Sequence, residues 1–298
     1  MYTVLMRKKR IVLIGACFLA VIGILERQVA KQSTENSSCG FFPANSLVVS
    51  PNAQVLSPLN QNDYQDALVQ VQKMYNDEFR DEQKTLIIQA DWNDDRVNSY
   101  ATRDDDDNPV VVAPGGLARY SLMTKDALLL IFCHEVGHFL GGAPKSPRGQ
   151  SSLLSWSSAE GEADYFASSR CLKKLFSDEK LNEDALSLTS SEHRQELSRQ
   201  CQTAQLPFQC MRILEAGKIA SDVFASVTGF STMPELTTPD QMITSQTVYV
   251  HPSPQCRLDT FASGVKCAIS ADARFDDRDP SIGACSDLGA RPKCWFVK

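Results

Sequence analysis

The chain has 298 residues, of which 43% are hydrophobic and 22% are charged, and its formal net charge at pH 7 is −6. A chain of this length can bury one sizeable core, alone or with a small appendage. The acidic balance argues against a nucleic-acid partner, because binding to phosphates depends on clustered Lys and Arg side chains.

The first thirty residues predict an export signal or an N-terminal membrane anchor. Four basic residues, 7–10, precede fifteen residues without a charge, 11–25. Fifteen is fewer than the roughly 20 apolar residues that span a bilayer, so the pattern suits a signal peptide, or an anchor if residues 1–6 contribute. The basic flank stays inside, so we expect export of the remainder to the periplasm or the extracellular space, with residues 11–25 as the possible anchor.

The next thirty residues, 31–60, are rich in polar residues and proline and predict a linker. Beyond them the apolar spacing over 63–83 has the three- and four-residue steps of a helix. Three short strands follow at 85–91, 96–102 and 110–113. We assign residues 61–270 to one domain and residues 271–298 to a cysteine-containing tail packed on it.

The second half of the domain is predicted to be helical. Helices are expected at 123–141, 158–176, 181–201, 207–227 and 253–269. The fold class is therefore α+β, with a mostly helical core and a small antiparallel or mixed β-sheet beside the helix at 123–141.

The most informative motif lies on that helix and reads Cys133-His-Glu-Val-Gly-His138. Residues four apart share one helical face, so His134 and His138 can present two imidazoles to one metal ion. Glu135 lies beside them, where it can take a proton from a metal-bound water. The motif predicts a catalytic site with one Zn²⁺ per chain. The alternative is two buried histidines that bind no metal.

An acidic block downstream offers the third ligand. Glu160 and Asp164 are four apart and share a helical face, whereas Glu162 points away and is expected to be solvated. The preferred assignment places Glu160 on the metal and Asp164 on a ligand histidine, fixing its tautomer. Asp164 could instead be an ordinary surface acid.

These motifs together resemble the gluzincin zinc peptidases of the HtpX and CAAX-prenyl-protease type, in which HExxH is followed by Glu-x-x-Ala-Asp-x-x-Ala. Val97 to Ala101 is similar to the family's strand along the substrate cleft, and His251-Pro with Arg257 is similar to its His-Pro…Arg segment. The short spacing from His138 to Glu160 departs from the family. A metzincin is excluded, because Pro144 stands where the third histidine would be.

The resemblance implies a zincin-like fold and further site residues. His251 or Arg257 would stabilise the developing oxyanion, and Asn98, Ser99 and Tyr100 would pair with an extended peptide substrate. His251 could also be a turn residue, and Arg257 a surface or salt-bridging residue. The polar segment before His251 suggests that His251 moves toward or away from the metal.

The cysteines agree with export. Apart from Cys17 there are nine, and six of them fall in the last hundred residues. Sequence does not fix their connectivity. The economical pairing joins neighbours: Cys201–Cys210, Cys256–Cys267 and Cys285–Cys294, with Cys133 reduced and Cys39 bonded to Cys171.

The sequence thus predicts an exported zinc metalloendopeptidase that hydrolyses peptides or unfolded proteins. Two other classes stay open. The first is a metal-binding but non-proteolytic chaperone or assembly factor of the cell envelope. The second is a structural envelope protein in which the motif is incidental, and absence of metal would favour it.

Overall fold

The computed structural model describes residues 39–53, 58–147 and 155–298. The predicted export segment lies outside these described residues. The described part is α+β, with many helices and a small mixed sheet, as the sequence predicts. Within it, no helix combines the length and apolar character needed to cross a bilayer.

The sheet has four strands: β1 (Cys39–Gly40), β2 (Ile87–Asp91), β3 (Tyr100–Arg103) and β4 (Pro109–Pro114), in the order β1-β3-β4-β2. Strands β2 and β4 are parallel, and the other two pairs are antiparallel. The predicted strand at 96–102 begins only at Tyr100. Before it, the backbone of Val97 and Asp95 bonds to Leu47 and Val49.

The predicted linker belongs to the domain from Cys39 onward. Gly40 pairs with Tyr100 in the sheet, and the next two residues, Phe41 and Phe42, are buried in the hydrophobic core. Polar composition misled the prediction, because these two aromatic residues sit between stretches of Ser, Asn and Pro.

The helices follow the predicted order closely. They are α1 (Gln61–Asp81), α2 (Gly115–Ala118), α3 (Lys125–Leu140), α4 (Glu160–Phe166), α5 (Leu172–Leu175), α6 (Glu179–Ala185), α7 (Ser191–Gln200), α8 (Pro207–Val227) and α9 (Pro254–Lys266). A π-helical turn at Ala167–Cys171 divides the predicted helix 158–176. The predicted helix 181–201 is divided before Ser190, whose side chain caps α7.

Helix α3 is the centre of the core. Every residue from Ala127 to Phe139 is buried, and the helix packs against α1, α4 and α8. The approach of α4 is close at Gly137, where a β-carbon would lie 2.8 Å from the carbonyl oxygen of Ala163. This glycine therefore lets the two motif-bearing helices lie side by side.

Four disulfides join described residues: Cys133–Cys171, Cys201–Cys210, Cys256–Cys294 and Cys267–Cys285. Of the predicted pairs, only Cys201–Cys210 is confirmed. Packing of α3 against the α4 region brings Cys133 to Cys171, so Cys133 is not reduced and Cys39 does not take Cys171. Such bonds belong to an oxidising compartment and point to export.

The tail is fastened to the domain by more than disulfides. Trp295 is fully buried, and Arg291 pairs with Glu162, one of its two hydrogen bonds measuring 2.6 Å. The prediction that Glu162 is solvated is wrong, because the tail covers this face of α4 and supplies the matching cation.

Candidate metal centre

The two motif histidines are held in a fixed orientation by bonds to their Nδ1 atoms. Nδ1 of His134 lies 2.7 Å from Oδ1 of Asp164, and Nδ1 of His138 lies 3.0 Å from the carbonyl oxygen of Ser158. When Nδ1 carries the proton, Nε2 presents a lone pair. Both rings therefore direct Nε2 into the same space.

Glu160 faces these nitrogens from α4. Its Oε2 lies 3.3 Å from Nε2 of His134, and its Oε1 lies 3.8 Å from Nε2 of His138. Among the described residues, both Nε2 atoms and Oε2 of Glu160 are buried and have no hydrogen-bond partner. Buried polar atoms are normally satisfied, and two imidazoles with a carboxylate are the donors that catalytic zinc takes. The three residues fit a zinc ion.

Glu135 is a second carboxylate at the same place. It offers an oxygen within 4.8 Å of the ligand atoms of His134 and His138, and both its oxygens are buried without a hydrogen-bond partner. Burial raises the pKa of Glu135 to about 8. Glu160 differs, because the imidazoles of His251 and His138 outweigh burial and hold its pKa below the usual range. Glu160 is thus held in the carboxylate form that a ligand needs, while the raised pKa of Glu135 makes its carboxylate the stronger base once it has lost its proton.

The two motif histidines differ in their electrostatic surroundings. Burial lowers the pKa of His134, but the Asp164 carboxylate, helped by Glu160, outweighs it and raises the value to about 9. For His138 burial prevails and lowers the pKa to about 4. The carboxylates of Asp164 and Glu160 thus favour a positive charge at His134, whereas burial disfavours one at His138.

Asp164 connects the site to Arg257. Nε and Nη2 of Arg257 donate to the two oxygens of Asp164 at 2.8 and 2.6 Å, and Nη1 donates to the carbonyl oxygen of Phe41 at 2.7 Å. Arg257 is fully buried. It is therefore not a surface residue but forms a buried salt bridge with Asp164, as the other part of the alternative proposed, and it also holds a backbone carbonyl.

His251 also reaches the site. Its Nε2 lies 3.5 Å from Oε2 of Glu160 and 2.8 Å from the carbonyl oxygen of Gly40. The segment that carries it comes from a part of the chain far from the motif. The structure thus brings His251 beside the predicted ligands, as the resemblance implies.

The predicted substrate-binding residues already have partners. Asn98 accepts from Phe42 N and donates to Phe42 O, both at 3.1 Å, and Ser99 Oγ donates to the carbonyl oxygen of Val112. The Ser99 carbonyl accepts from Phe41 N at 3.0 Å. The edge beside β3 is therefore occupied by residues 39–42, so the Asn98 and Ser99 side chains are structural. Tyr100 remains half-buried at this edge.

Two contributors were missed in the sequence. Ser158 holds His138 through its backbone, which no side-chain motif can reveal. Arg291 satisfies Glu162 from 129 residues away along the chain, and the sequence has no signal for that pairing. For Ser158, the only hint in the sequence is its position just before the acidic block.

Comparison of the chain with protein-family models, curated proteins and solved structures gives no match.

Proposed function

We propose that this protein is an exported zinc-dependent endopeptidase of the gluzincin type, acting on peptides or unfolded proteins. The observation that carries the proposal is the convergence of three buried, unpartnered ligand atoms from His134, His138 and Glu160, with Glu135 beside them. A structural role alone would leave Nε2 of His138 and both oxygens of Glu135 without hydrogen bonds, at a cost of about 1–3 kcal/mol each.

The residues have separable roles. His134, His138 and Glu160 would hold the ion, and bound zinc lowers the pKa of its water and polarises a carbonyl. Glu135 would accept a proton from the attacking water and deliver it to the leaving amine. Asp164, held by Arg257, keeps His134 in the tautomer whose Nε2 is free for the metal.

His251 would act on the carbonyl oxygen of the peptide bond that is hydrolysed. Its Nε2 already donates to the backbone carbonyl of Gly40 at 2.8 Å, while facing Glu160. A donor at this position is suited to stabilise the oxygen on which negative charge develops.

The test is hydrolysis of reduced, alkylated casein carrying a fluorophore, with the zinc-loaded full chain and its Glu135→Gln variant. We expect the variant to retain zinc and to lose at least about 100-fold in rate, because general-base catalysis contributes about 10²–10⁴-fold. Equal rates for the two proteins would contradict the mechanism.

The enclosure of the site favours one alternative, a metal-binding chaperone or assembly factor without proteolytic activity. His134, Glu135 and His138 have no exposed surface, so a substrate reaches them only when something moves. Stoichiometric zinc in a wild-type chain that never cleaves casein, but slows its aggregation, would select this alternative.

A further inference from the structure

The peptide bond between Gly40 and Phe41 is held beside the candidate metal centre through three consecutive backbone groups, whose partners include His251 and Arg257. The Gly40 carbonyl accepts from Nε2 of His251 at 2.8 Å, and Phe41 N donates to the carbonyl of Ser99 at 3.0 Å. The Phe41 carbonyl accepts from Nη1 of Arg257 at 2.7 Å. Edge-strand pairing with added side-chain donors is how an extended peptide substrate is held.

The side chains around this peptide are also those of the site. The Phe41 ring lies 5.0 Å from the His134 ring, edge to face, and 3.9 Å from the Arg257 guanidinium. Gly40 has little free space, since a β-carbon would lie 3.0 Å from the Tyr100 ring and 3.1 Å from the Phe42 carbonyl oxygen. A residue without a side chain therefore fits where the backbone comes closest to His251.

We propose that the protein cleaves its own chain between Gly40 and Phe41. This inference rests on the proposed peptidase function. Water adds its oxygen to the Gly40 carbonyl carbon, and the bond from that carbon to Phe41 N breaks. A proton from the water passes through Glu135 to Phe41 N, so the products are a Gly40 carboxylate and a Phe41 amino group.

The two sides of the bond are held differently, which determines what the cut does. Phe41 and Phe42 are buried in the core and stay as the new N-terminus. Up to Gly40, the described hydrogen bonds are the two-residue pairing of β1 with β3 and the bond to His251, and β1 also contacts α3. Release of residues 1–40 would uncover the edge of β3 that pairs with β1, and would separate the domain from the basic and apolar N-terminal stretch.

The experiment follows the mass and the N-terminal sequence of the full chain after zinc is added to metal-free protein. We expect a new N-terminus at Phe41 in the wild type and none in Glu135→Gln. Mixing ¹⁵N-labelled Glu135→Gln with unlabelled wild type tests whether the cut is intramolecular, in which case the labelled chain stays whole and the wild-type rate is independent of concentration.

A matched pair of variants tests the geometry. Gly40→Val adds a side chain where there is no room and should slow the cut at least tenfold. Ala44→Val, on the same segment but exposed, should leave the rate unchanged. Equal effects of the two substitutions would overturn the assignment of this bond.

The remaining outcomes distinguish self-cleavage from the proposed peptidase function on which it rests. A wild-type chain that hydrolyses casein while its own chain stays whole, or is cut elsewhere, overturns self-cleavage and leaves the peptidase function standing. Self-cleavage is also overturned if purified Glu135→Gln is cut after Gly40, or if the labelled Glu135→Gln chain is cut in the mixture with wild type. Neither casein hydrolysis nor self-cleavage in zinc-loaded protein overturns both proposals.

Discussion

Asp164 lies 2.7 Å from His134 and accepts two further hydrogen bonds from Arg257, so one buried carboxylate orients both residues. Replacing Asp164 with Asn removes the charge that holds them. We expect zinc affinity to fall about 10–100-fold, the usual effect of losing such a partner. Competition with a chromophoric chelator measures it.

Glu162→Gln is the matched control for this variant. Glu162 is equally buried on the same helix but faces Arg291 instead of the histidines. Leaving Arg291 unpaired should cost about 3–5 kcal/mol of unfolding free energy while zinc affinity stays unchanged. Equal losses of zinc affinity in the two variants would mean that Asp164 acts only through stability.

The disulfide Cys133–Cys171 fastens α3 to the end of the segment that carries Glu160. Its residues are 38 apart in sequence, against 9 for Cys201–Cys210. Because a disulfide that closes a longer loop removes more entropy from the unfolded chain, replacing the first pair with Ser should destabilise the protein by about 2–4 kcal/mol, and by about 1 kcal/mol more than replacing the second. Urea unfolding without reductant checks this order, and a reversed order would contradict it.

Asn98 is expected to act on stability and not on substrate binding. Asn98→Ala leaves the buried N–H and C=O of Phe42 without their partners, which should cost about 2 kcal/mol or more. The exposed Asn45, which also bonds to the neighbouring segment, provides a control, since Asn45→Ala should cost less than about 1 kcal/mol. Unchanged stability with a raised KM would restore the substrate-binding role.

The helices were predictable because their signals are local. The apolar run before His134 and the three- and four-residue steps in α1 are properties of neighbouring residues, and α8 has the bounds that its pattern predicts. The four-residue spacing of His134 and His138, and of Glu160 and Asp164, likewise defines shared helical faces before any packing is known.

The remaining features depend on contacts between distant segments. The pairing of Cys133 with Cys171 follows from helix packing at Gly137, while the sequence favours neighbouring cysteines. The same applies to Arg291, whose carboxylate partner is 129 residues away. The covered edge at β3 arises from Phe41 and Phe42, whose burial cannot be deduced from their polar surroundings.

The central claim is that His134, His138 and Glu160 bind one zinc ion. Native mass spectrometry of the full chain after zinc addition and buffer exchange tests it most directly, with Glu160→Ala beside Glu162→Ala, a buried acid that faces Arg291. We expect one zinc per chain in the wild type and in Glu162→Ala, and loss or marked weakening of zinc binding in Glu160→Ala. A wild-type chain without zinc, or equal zinc in Glu160→Ala, would contradict it.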